Sequence, residues 1–254
     1  MGRERFEAEF GCYSEWLVEA CLVLGVDPVP AVSSGTGRPA LLKLASAPLD
    51  ARPGRMILDL GCGLGGPGTW LARNTGAEVI GVDVMLQSVS GLRRLSPELH
   101  GVVASLRALP MKDDLFDAAW SLGVLEMVAD KAAASREMCR VLRPGAPLVV
   151  YDFVLTHTHS GHIPEADRFS LPNDTLRCLK GAGFKIRDAF ALPNLPPAPA
   201  DWVAARDSVR AEVCKRHGDD ERFKVVEEEQ QTFRDLVAHA AIQEWMFVVS
   251  KEAP

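Results

Sequence analysis

The sequence predicts an α/β protein with a doubly wound, mostly parallel sheet and helical cap insertions. Three observations lead to this prediction. Short apolar runs alternate with helical patterns, a glycine-rich turn joins the first run to the helix after it, and 254 residues suffice for one large domain. In a sheet of this kind, ligands bind at the carboxyl ends of the strands.

Five apolar runs predict the strands of the sheet core. They are MILDL at 56–60, EVIGVDV at 78–84, LHGVVAS at 99–105, FDAAWSLG at 116–123 and APLVVYDF at 146–153. Helical patterns at 66–76, 88–96 and 130–142 lie between them, and the last of these stops at an Arg-Pro-Gly turn. Strands and helices that alternate in this way form a parallel sheet covered on both faces.

The flanking segments add elements to this core. Helical character at 14–26, then a Gly/Ser turn and a short helix within 31–46, precede the first strand. Tyr13 shares one helical face with Phe10 and Trp16. After the fifth run come a polar segment (156–167), a helix (171–184) and a strand (185–192). A proline-rich linker (193–201), a helix-prone stretch (201–241) and a last strand (244–251) complete the predicted elements.

The composition excludes several classes of protein. With 47% hydrophobic and 24% charged residues the chain is an ordinary globular one, and its net charge of −6 argues against general attraction to nucleic acid or anionic lipid. No run approaches the roughly 20 apolar residues of a membrane span, and the start does not read as a secretory signal. The six scattered cysteines favour reduced thiols in a cytoplasmic protein.

The sharpest motif is the run Asp59-Leu-Gly61-Cys-Gly63-Leu-Gly65-Gly66. It follows a predicted strand and precedes a helix, where glycines let a ligand approach the backbone. The glycines also satisfy G-x-G-x-x-G, and Asp83 lies 20 positions after Gly63, where a dinucleotide fingerprint expects its ribose-binding acid. A nicotinamide cofactor therefore stays open on the pattern alone, whereas the GxxxxGK[ST] phosphate loop is absent.

Asp59 favours a cationic ligand over a dinucleotide. A carboxylate directly before the turn would repel a pyrophosphate and attract an ammonium or sulfonium group. S-adenosyl-L-methionine has both cations, a ribose and no phosphate.

Four segments carry a family resemblance. ILDLGCGLG (57–65), VIGVDV (79–84), LRALPMKDDLFDAAWSLGVLEMV (106–128) and EMCRVLRPGAPLVVYDF (137–153) resemble, in order and spacing, the motifs of class I S-adenosylmethionine-dependent methyltransferases. The resemblance implies a Rossmann-like seven-stranded, mostly parallel sheet and S-adenosyl-L-methionine as cofactor. It also implies a single domain over 1–254, with an N-terminal helical lid at 1–50, a cofactor-binding core at 55–153, and substrate cap elements with the last two strands at 154–254.

The resemblance implies roles for eight cofactor-binding residues. Asp59 would orient the loop or pair with the methionine ammonium, Gly61 and Gly63 would approach the methionyl part, and Asp83 would accept from the ribose hydroxyls. The adenine side departs from the family pattern, because Ser105 stands where an Asp is common. The remaining candidates on that side and along the fourth strand are Met85, Leu106 and Ser121.

The catalytic side is less complete. Small-molecule relatives often read Leu-Glu-His after the fourth strand, whereas this chain has Met127, which takes no proton. The candidate catalytic residues are Asp152, His157 and Tyr13. His157 belongs with His159 and His162 to a cluster that suits a polar loop, a substrate contact or base, or a metal.

The resulting hypothesis is methyl transfer to an O, N or C atom of a small organic acceptor by a cytoplasmic enzyme. We expect the enzyme to be a monomer or homodimer, without nucleic-acid or membrane partners and with no resident metal. Two alternatives stay open. One is a nicotinamide-dependent oxidoreductase that uses the same loop. The other is a protein that keeps the fold and cofactor but catalyses no methyl transfer, for example a cyclisation.

Overall fold

The fold is seen in a computed structural model that describes residues 3–33, 36–156 and 168–253, with side chains from residue 9 onward. Among these residues, no helix is both long and apolar enough to cross a membrane.

The described residues form one seven-stranded sheet, in the order β3-β2-β1-β4-β5-β7-β6. Adjacent strands among the first five are parallel, while β7 runs antiparallel to both of its neighbours. The strands are β1 (Met56–Leu60), β2 (Glu78–Asp83), β3 (His100–Val103), β4 (Ala118–Leu122), β5 (Pro147–Leu155), β6 (Phe184–Ala191) and β7 (Ile242–Lys251). This sheet confirms the predicted fold class.

Helices cover the sheet and extend beyond it. In the described residues they are α1 (Arg3–Leu24), α2 (Pro28–Ala31), α3 (Pro39–Ser46), α4 (Gly66–Thr75), α5 (Leu86–Leu95), α6 (Lys131–Val141), α7 (Pro172–Gly181), α8 (Ala200–His217) and α9 (Glu221–Ala238). Short 3₁₀ turns occupy Ala47–Leu49 and Leu125–Met127.

Three buried apolar clusters hold these layers together. On one face of the sheet, Leu41 of α3 and Leu71 of α4 pack with Trp120 and Tyr151. The opposite face packs against α6 and α7. A third cluster joins α1 to α8 and α9 and includes Leu64 of the glycine loop. The helical additions are therefore packed onto the sheet core beside the glycine loop rather than separate from it.

Several element bounds differ from the sequence expectation. The helix-prone stretch 201–241 forms two helices that separate near Gly218, and the Asp220 side chain caps α9 by accepting from the Arg222 amide at 2.9 Å. The first helix begins at Arg3 instead of residue 14. Its early turns carry too many charges for an apolar period to mark them, whereas packing on α5, α8 and α9 stabilises the whole helix.

Candidate cofactor and acceptor site

The glycine loop turns sharply between β1 and α4. The amides of Gly61 and Cys62 both donate to the Val82 carbonyl, at 2.7 and 2.9 Å. Gly61 has φ +77°, and a Cβ at this position would lie 2.4 Å from the Val124 methyl carbons. Only glycine fits there, so the path of the loop is fixed by its neighbours.

Gly63 provides open space in the same loop. Its φ is +52°, and no atom of the described chain lies within 4 Å of the place that a Cβ would take. Its N–H donates to Oδ2 of Asp83 at 2.9 Å. A ligand can therefore approach the backbone at Gly63, which a side chain would prevent.

Asp83 ends β2 and joins the loop to the next helix. Its Oδ1 accepts from the Met85 amide at 2.9 Å, and the side chain is 8% exposed. Burial raises the pKa of Asp83, while the backbone amides of Met85, Gly63 and Val84 lower it. Because each carboxylate oxygen has two lone pairs, both can still accept from a ligand hydroxyl.

Asp59 is the second buried acid beside the loop. It is 3% exposed, and its Oδ2 has no hydrogen-bond partner in the described part of the chain. The pKa of Asp59 is raised to about 7, mainly by burial and further by the nearby Asp83 carboxylate. The nearby Trp120 side chain lowers the pKa in part, although the two side chains do not meet in hydrogen-bond geometry. A Cβ on Gly68 of α4 would lie 2.7 Å from Oδ2, so α4 approaches this acid closely. Oδ2 of Asp59 is therefore available to interact with a cationic group of a ligand.

An open apolar surface lies beyond Asp83. Met85 precedes α5 and is half-buried, as is Ser105, whose Oγ accepts from the Arg107 amide at 3.2 Å. Leu106 is 7% exposed. The ends of β2 and β3 and the start of α5 leave three large apolar side chains exposed, namely Val84, Leu86 and Val103. This surface suits the flat face of a heterocycle.

Ser121 lies on β4 opposite Leu60, the last residue of β1. Its hydroxyl is fully buried and has no hydrogen-bond partner among the described residues. A buried hydroxyl without a partner is uncommon and calls for an explanation such as a ligand or a water.

Asp152 lies on β5 just beyond the level at which β4 ends. It is 4% exposed, and its Oδ1 makes no hydrogen bond with any described residue. Burial, then the Glu126 carboxylate, raise the pKa of Asp152 well above its usual range, whereas Lys131 and Arg168 oppose the rise. Asp152 therefore lies inside a buried group of two acids and two bases.

Glu126, Lys131 and Arg168 are the members of this group that the sequence patterns did not single out. Glu126 accepts from the Arg168 guanidinium at 2.9 Å and from the Phe153 amide at 3.2 Å. The Lys131 ammonium donates to three carbonyls, those of Glu126, Val128 and Arg168. The sequence signal that could have identified this group is Glu126 itself, a single acid within the apolar stretch VLEMV. A buried acid needs a hydrogen-bonded or charged partner, so its position predicts a cation nearby.

Tyr13 lies in the interface between α1 and α9. Its ring centroid is 6.3 Å from that of Phe223, and the side chain is 8% exposed. Burial raises the pKa of Tyr13, and a hydrogen bond from Gln230 lowers it. These contacts match the packing of a lid helix. His157, like His159 and His162, lies outside the described residues.

Comparisons with known proteins identify similar domains and folds. Residues 58–150 match the family model described as a methyltransferase domain. Methyltransferase GfsG of Streptomyces halstedii is 38% identical over 116 residues, covering 43% of this chain and 42% of that protein. The chain thus matches less than half the length of this relative.

Two solved structures share the fold. The [4+2]-cyclase SpnF has a TM-score of 0.70 at 22% identity, over 96% of each chain. The geranyl diphosphate C-methyltransferase of Streptomyces coelicolor A3(2), in complex with Mg²⁺, a thiolodiphosphate and S-adenosyl-L-homocysteine, has a TM-score of 0.62 at 15% identity, over 84% of this chain and 75% of that one.

The sheet order and the acid-flanked glycine loop define an α/β protein that holds a nucleoside-containing cofactor at the carboxyl ends of its strands. Residues 58–150 of this chain are similar to methyltransferase domains, and the matched family and the solved neighbours support S-adenosyl-L-methionine as the cofactor.

Proposed function

We propose that this chain transfers a methyl group from S-adenosyl-L-methionine to an O, N or C atom of a small organic acceptor. One observation carries the proposal. Two buried carboxylates, Asp59 and Asp83, flank a loop that leaves open space at Gly63. An acid at the position of Asp83 suits the ribose of either cofactor, but a pyrophosphate at the loop would face Asp59, whereas ammonium and sulfonium groups are attracted to it.

The residues present fit this cofactor. Bound at the loop, it supplies a methyl group that its positive sulfur makes electrophilic. Asp83 accepts from the ribose hydroxyls, Asp59 balances the cationic end, and Gly61 and Gly63 let the methionyl part approach. Met85, Ser105, Leu106 and Ser121 line the remaining side of the cofactor.

The acceptor must be aligned and shielded from water. In-line displacement depends mainly on the alignment of nucleophile, methyl carbon and sulfur. The lid at 1–50 and the cap elements at 154–254 enclose the reaction and exclude water. Oxygen and acidic-carbon acceptors also need proton removal, for which Asp152 and His157 are the proposed groups, whereas an amine needs only to arrive neutral.

The proposed setting is a reducing compartment, the cytoplasm, and a role in secondary metabolism. All six cysteines are free thiols, from exposed Cys214 to buried Cys62. Free thiols in this number favour a compartment in which disulfides do not persist.

Equilibrium binding followed by label transfer tests the proposed function. Titration calorimetry is expected to show binding of S-adenosyl-L-methionine and none of NAD. Methyl-labelled cofactor is then offered with a metabolite extract, and mass spectrometry identifies the labelled product. Binding of NAD without binding of S-adenosyl-L-methionine would favour the oxidoreductase instead.

A second candidate is a reaction that keeps the cofactor and transfers no methyl group, such as a cyclisation. Met127 supports it, because this residue, which is 38% exposed, stands where many small-molecule methyltransferases have a His that can take a proton, and Met takes none. The structural neighbour named a [4+2]-cyclase suggests the reaction class to assay. Cofactor binding with no label in any product favours this candidate.

A further inference from the structure

Asp59 and Trp120 are paired across two neighbouring strands. They stand opposite each other in the parallel register of β1 and β4, so both side chains point to the same face of the sheet. Helix α4 covers this face. A Cβ on Gly68 of α4 would lie 2.7 Å from Oδ2 of Asp59, and Leu71 of α4 belongs with Trp120 to one apolar cluster. The acid and the indole therefore lie together beneath α4.

Each of these two side chains has a buried polar atom without a partner. Trp120 is fully buried, and its Nε1 makes no hydrogen bond with any described residue. Oδ2 of Asp59, a residue that is 3% exposed, is likewise buried and unpaired within the described part of the chain. An indole N–H can only donate, and a charged carboxylate can only accept. Because an unpaired buried polar group costs free energy, the two atoms are complementary partners.

The described elements around Asp59 present little else that could donate to it from a side chain. The residue paired with Asp59 on β2 is Gly81, which has no side chain. The titratable groups that interact with Asp59 are the Asp83 carboxylate, an acceptor, and the Cys62 thiol, a weak donor. The Trp120 N–H is therefore the strongest described side-chain donor beside a charged Asp59.

The Trp120 side chain already affects the ionisation of Asp59. Burial is the largest influence and raises the pKa of this acid, whereas Trp120 lowers it. A donor beside a carboxyl favours the charged form, so the direction of the Trp120 effect is that of a hydrogen-bond donor.

We propose that Trp120 is a positioning residue for Asp59: when Asp59 is charged, the indole N–H donates to Oδ2 and holds the carboxylate beside the glycine loop, where it balances the cationic end of the cofactor. Each carboxylate oxygen has two lone pairs, so Oδ2 can accept from Trp120 and still interact with a ligand. The cofactor part of this inference rests on the proposed function, whereas the pairing of the two residues is measurable without cofactor.

Trp120→Phe tests the pairing in the cofactor-free chain, because it removes the N–H and keeps an aromatic ring. Denaturant unfolding is compared between about pH 6 and pH 9. Loss of the donor is expected to raise the pH at which Asp59 ionises in the folded chain by about one unit or more. Since the pKa of Asp59 lies above its unfolded value, stability falls as pH rises toward that pKa. In the variant this fall should continue to a higher pH than in the unmodified chain.

Two comparisons separate this effect from a general loss of packing. Trp70→Phe makes the same substitution at a 9% exposed residue of the same apolar cluster, and it should change stability equally at every pH. In an Asp59→Asn background, Trp120→Phe should also have a pH-independent effect, since the acid is gone. A pH-independent effect of Trp120→Phe in the unmodified background, or the same pH dependence in both backgrounds, would overturn the proposal.

NMR of the indole N–H groups observes the pairing without any change to Trp120. One of the five tryptophan N–H signals is expected to move downfield between about pH 6 and pH 9, because a hydrogen bond to an anion deshields the proton. The same signal should stay in place in Asp59→Asn. Five signals that do not respond to pH, or an equal movement in Asp59→Asn, would contradict the pairing.

Cofactor titration tests the consequence for binding. Trp120→Phe is expected to weaken binding of S-adenosyl-L-methionine about fivefold near pH 7, and progressively less toward pH 9, where Asp59 is charged in both chains. An equal loss of affinity at every pH would indicate a disturbed site and would overturn the positioning role. If the unmodified chain does not bind the cofactor, the proposed function fails, and the unfolding and NMR measurements still decide whether Trp120 pairs with Asp59.

Discussion

Gly63 and Asp83 are joined by a hydrogen bond of 2.9 Å from the Gly63 amide to Oδ2 of Asp83. The other oxygen of the same carboxylate accepts from Met85 at 2.9 Å. One side chain thereby fixes both the glycine loop and the start of α5, which are the two segments that would border a ribose.

Replacement of Asp83 by alanine is expected to weaken binding of S-adenosyl-L-methionine by at least about tenfold. The variant loses charge-assisted hydrogen bonds worth roughly 1.5–3 kcal/mol each, together with the anchor of the Gly63 amide. Titration calorimetry measures the change. Glu78→Ala, at the exposed start of the same strand, serves as the control. Unchanged affinity in Asp83→Ala would remove this residue from the cofactor site.

Comparison of Gly63→Ala with Gly54→Ala distinguishes two effects of a new methyl group, the loss of space for a ligand and the strain of a positive φ. Gly63 and Gly54 both have positive φ, +52° and +83°, and neither has a described atom within 4 Å of its missing Cβ. Both alanine variants should therefore lose about 1 kcal/mol of stability in thermal or denaturant unfolding. Only Gly63→Ala is expected to lose cofactor affinity. Equal affinities in the two variants would mean that the open space at Gly63 holds no ligand.

The core of the fold follows from local sequence signals, because each buried parallel strand is a short apolar run bounded by turn residues. MILDL and EVIGVDV are examples, and each is followed directly by a helix that the structure contains. The acids Asp59 and Asp83 were also identifiable, since each ends or nearly ends a strand. Their positions beside the loop follow from the sheet order.

The remaining part of the site depends on contacts between distant segments. Glu126 and Arg168 meet only after the chain has returned along β5, so no local pattern marks the pair. The contact between Phe233 and Phe169 arises in the same way, because the two rings converge from opposite sides of a long connection. Neither periodicity nor motif spacing encodes such a meeting.

The pKa of Asp59 predicts a pH dependence of cofactor binding. A carboxyl with a pKa of about 7 is mostly neutral at pH 6 and mostly charged at pH 8. Since the charged form attracts a cation, affinity for S-adenosyl-L-methionine should rise across this range by up to roughly tenfold. Calorimetry on the unmodified chain and on Asp59→Asn measures it. A rise of equal size in Asp59→Asn would exclude Asp59 as its source.

The same shift predicts an opposite effect on stability. Because the pKa of Asp59 is raised above its unfolded value near 4, the folded chain loses stability as pH rises from about 4 to 7. Asp59→Asn removes this loss. Its stability relative to the unmodified chain should increase by up to about 2 kcal/mol between pH 5 and pH 8, as measured by denaturant unfolding without cofactor. A pH-independent difference would contradict the assignment.

Glu126→Gln tests the buried pair with Arg168. The Glu126 side chain is 4% exposed and that of Arg168 is 26% exposed, so loss of the Glu126 charge leaves a partly buried guanidinium without its anionic partner. Loss of a charged hydrogen-bond partner at such a site is expected to lower the free energy of unfolding by about 1–3 kcal/mol. Asp174→Asn breaks the exposed pair with Arg177 and should change stability by less than about 1 kcal/mol. Similar small changes in both variants would show that the buried pair contributes little.

Asp152→Asn distinguishes proton transfer from packing at the buried acid. Asparagine keeps the size of the side chain and removes its capacity to take a proton. Turnover in the label-transfer assay is therefore expected to fall by about 100-fold, with nearly unchanged cofactor affinity, because general acid–base groups contribute roughly 10²–10⁴-fold. The fold should persist, since asparagine has nearly the same size and shape as the buried aspartate side chain. Asp188→Asn, the same substitution at an exposed position of β6, is the control for assay and folding. Full turnover in Asp152→Asn would assign this acid to the buried charge group alone and leave His157 as the proposed base.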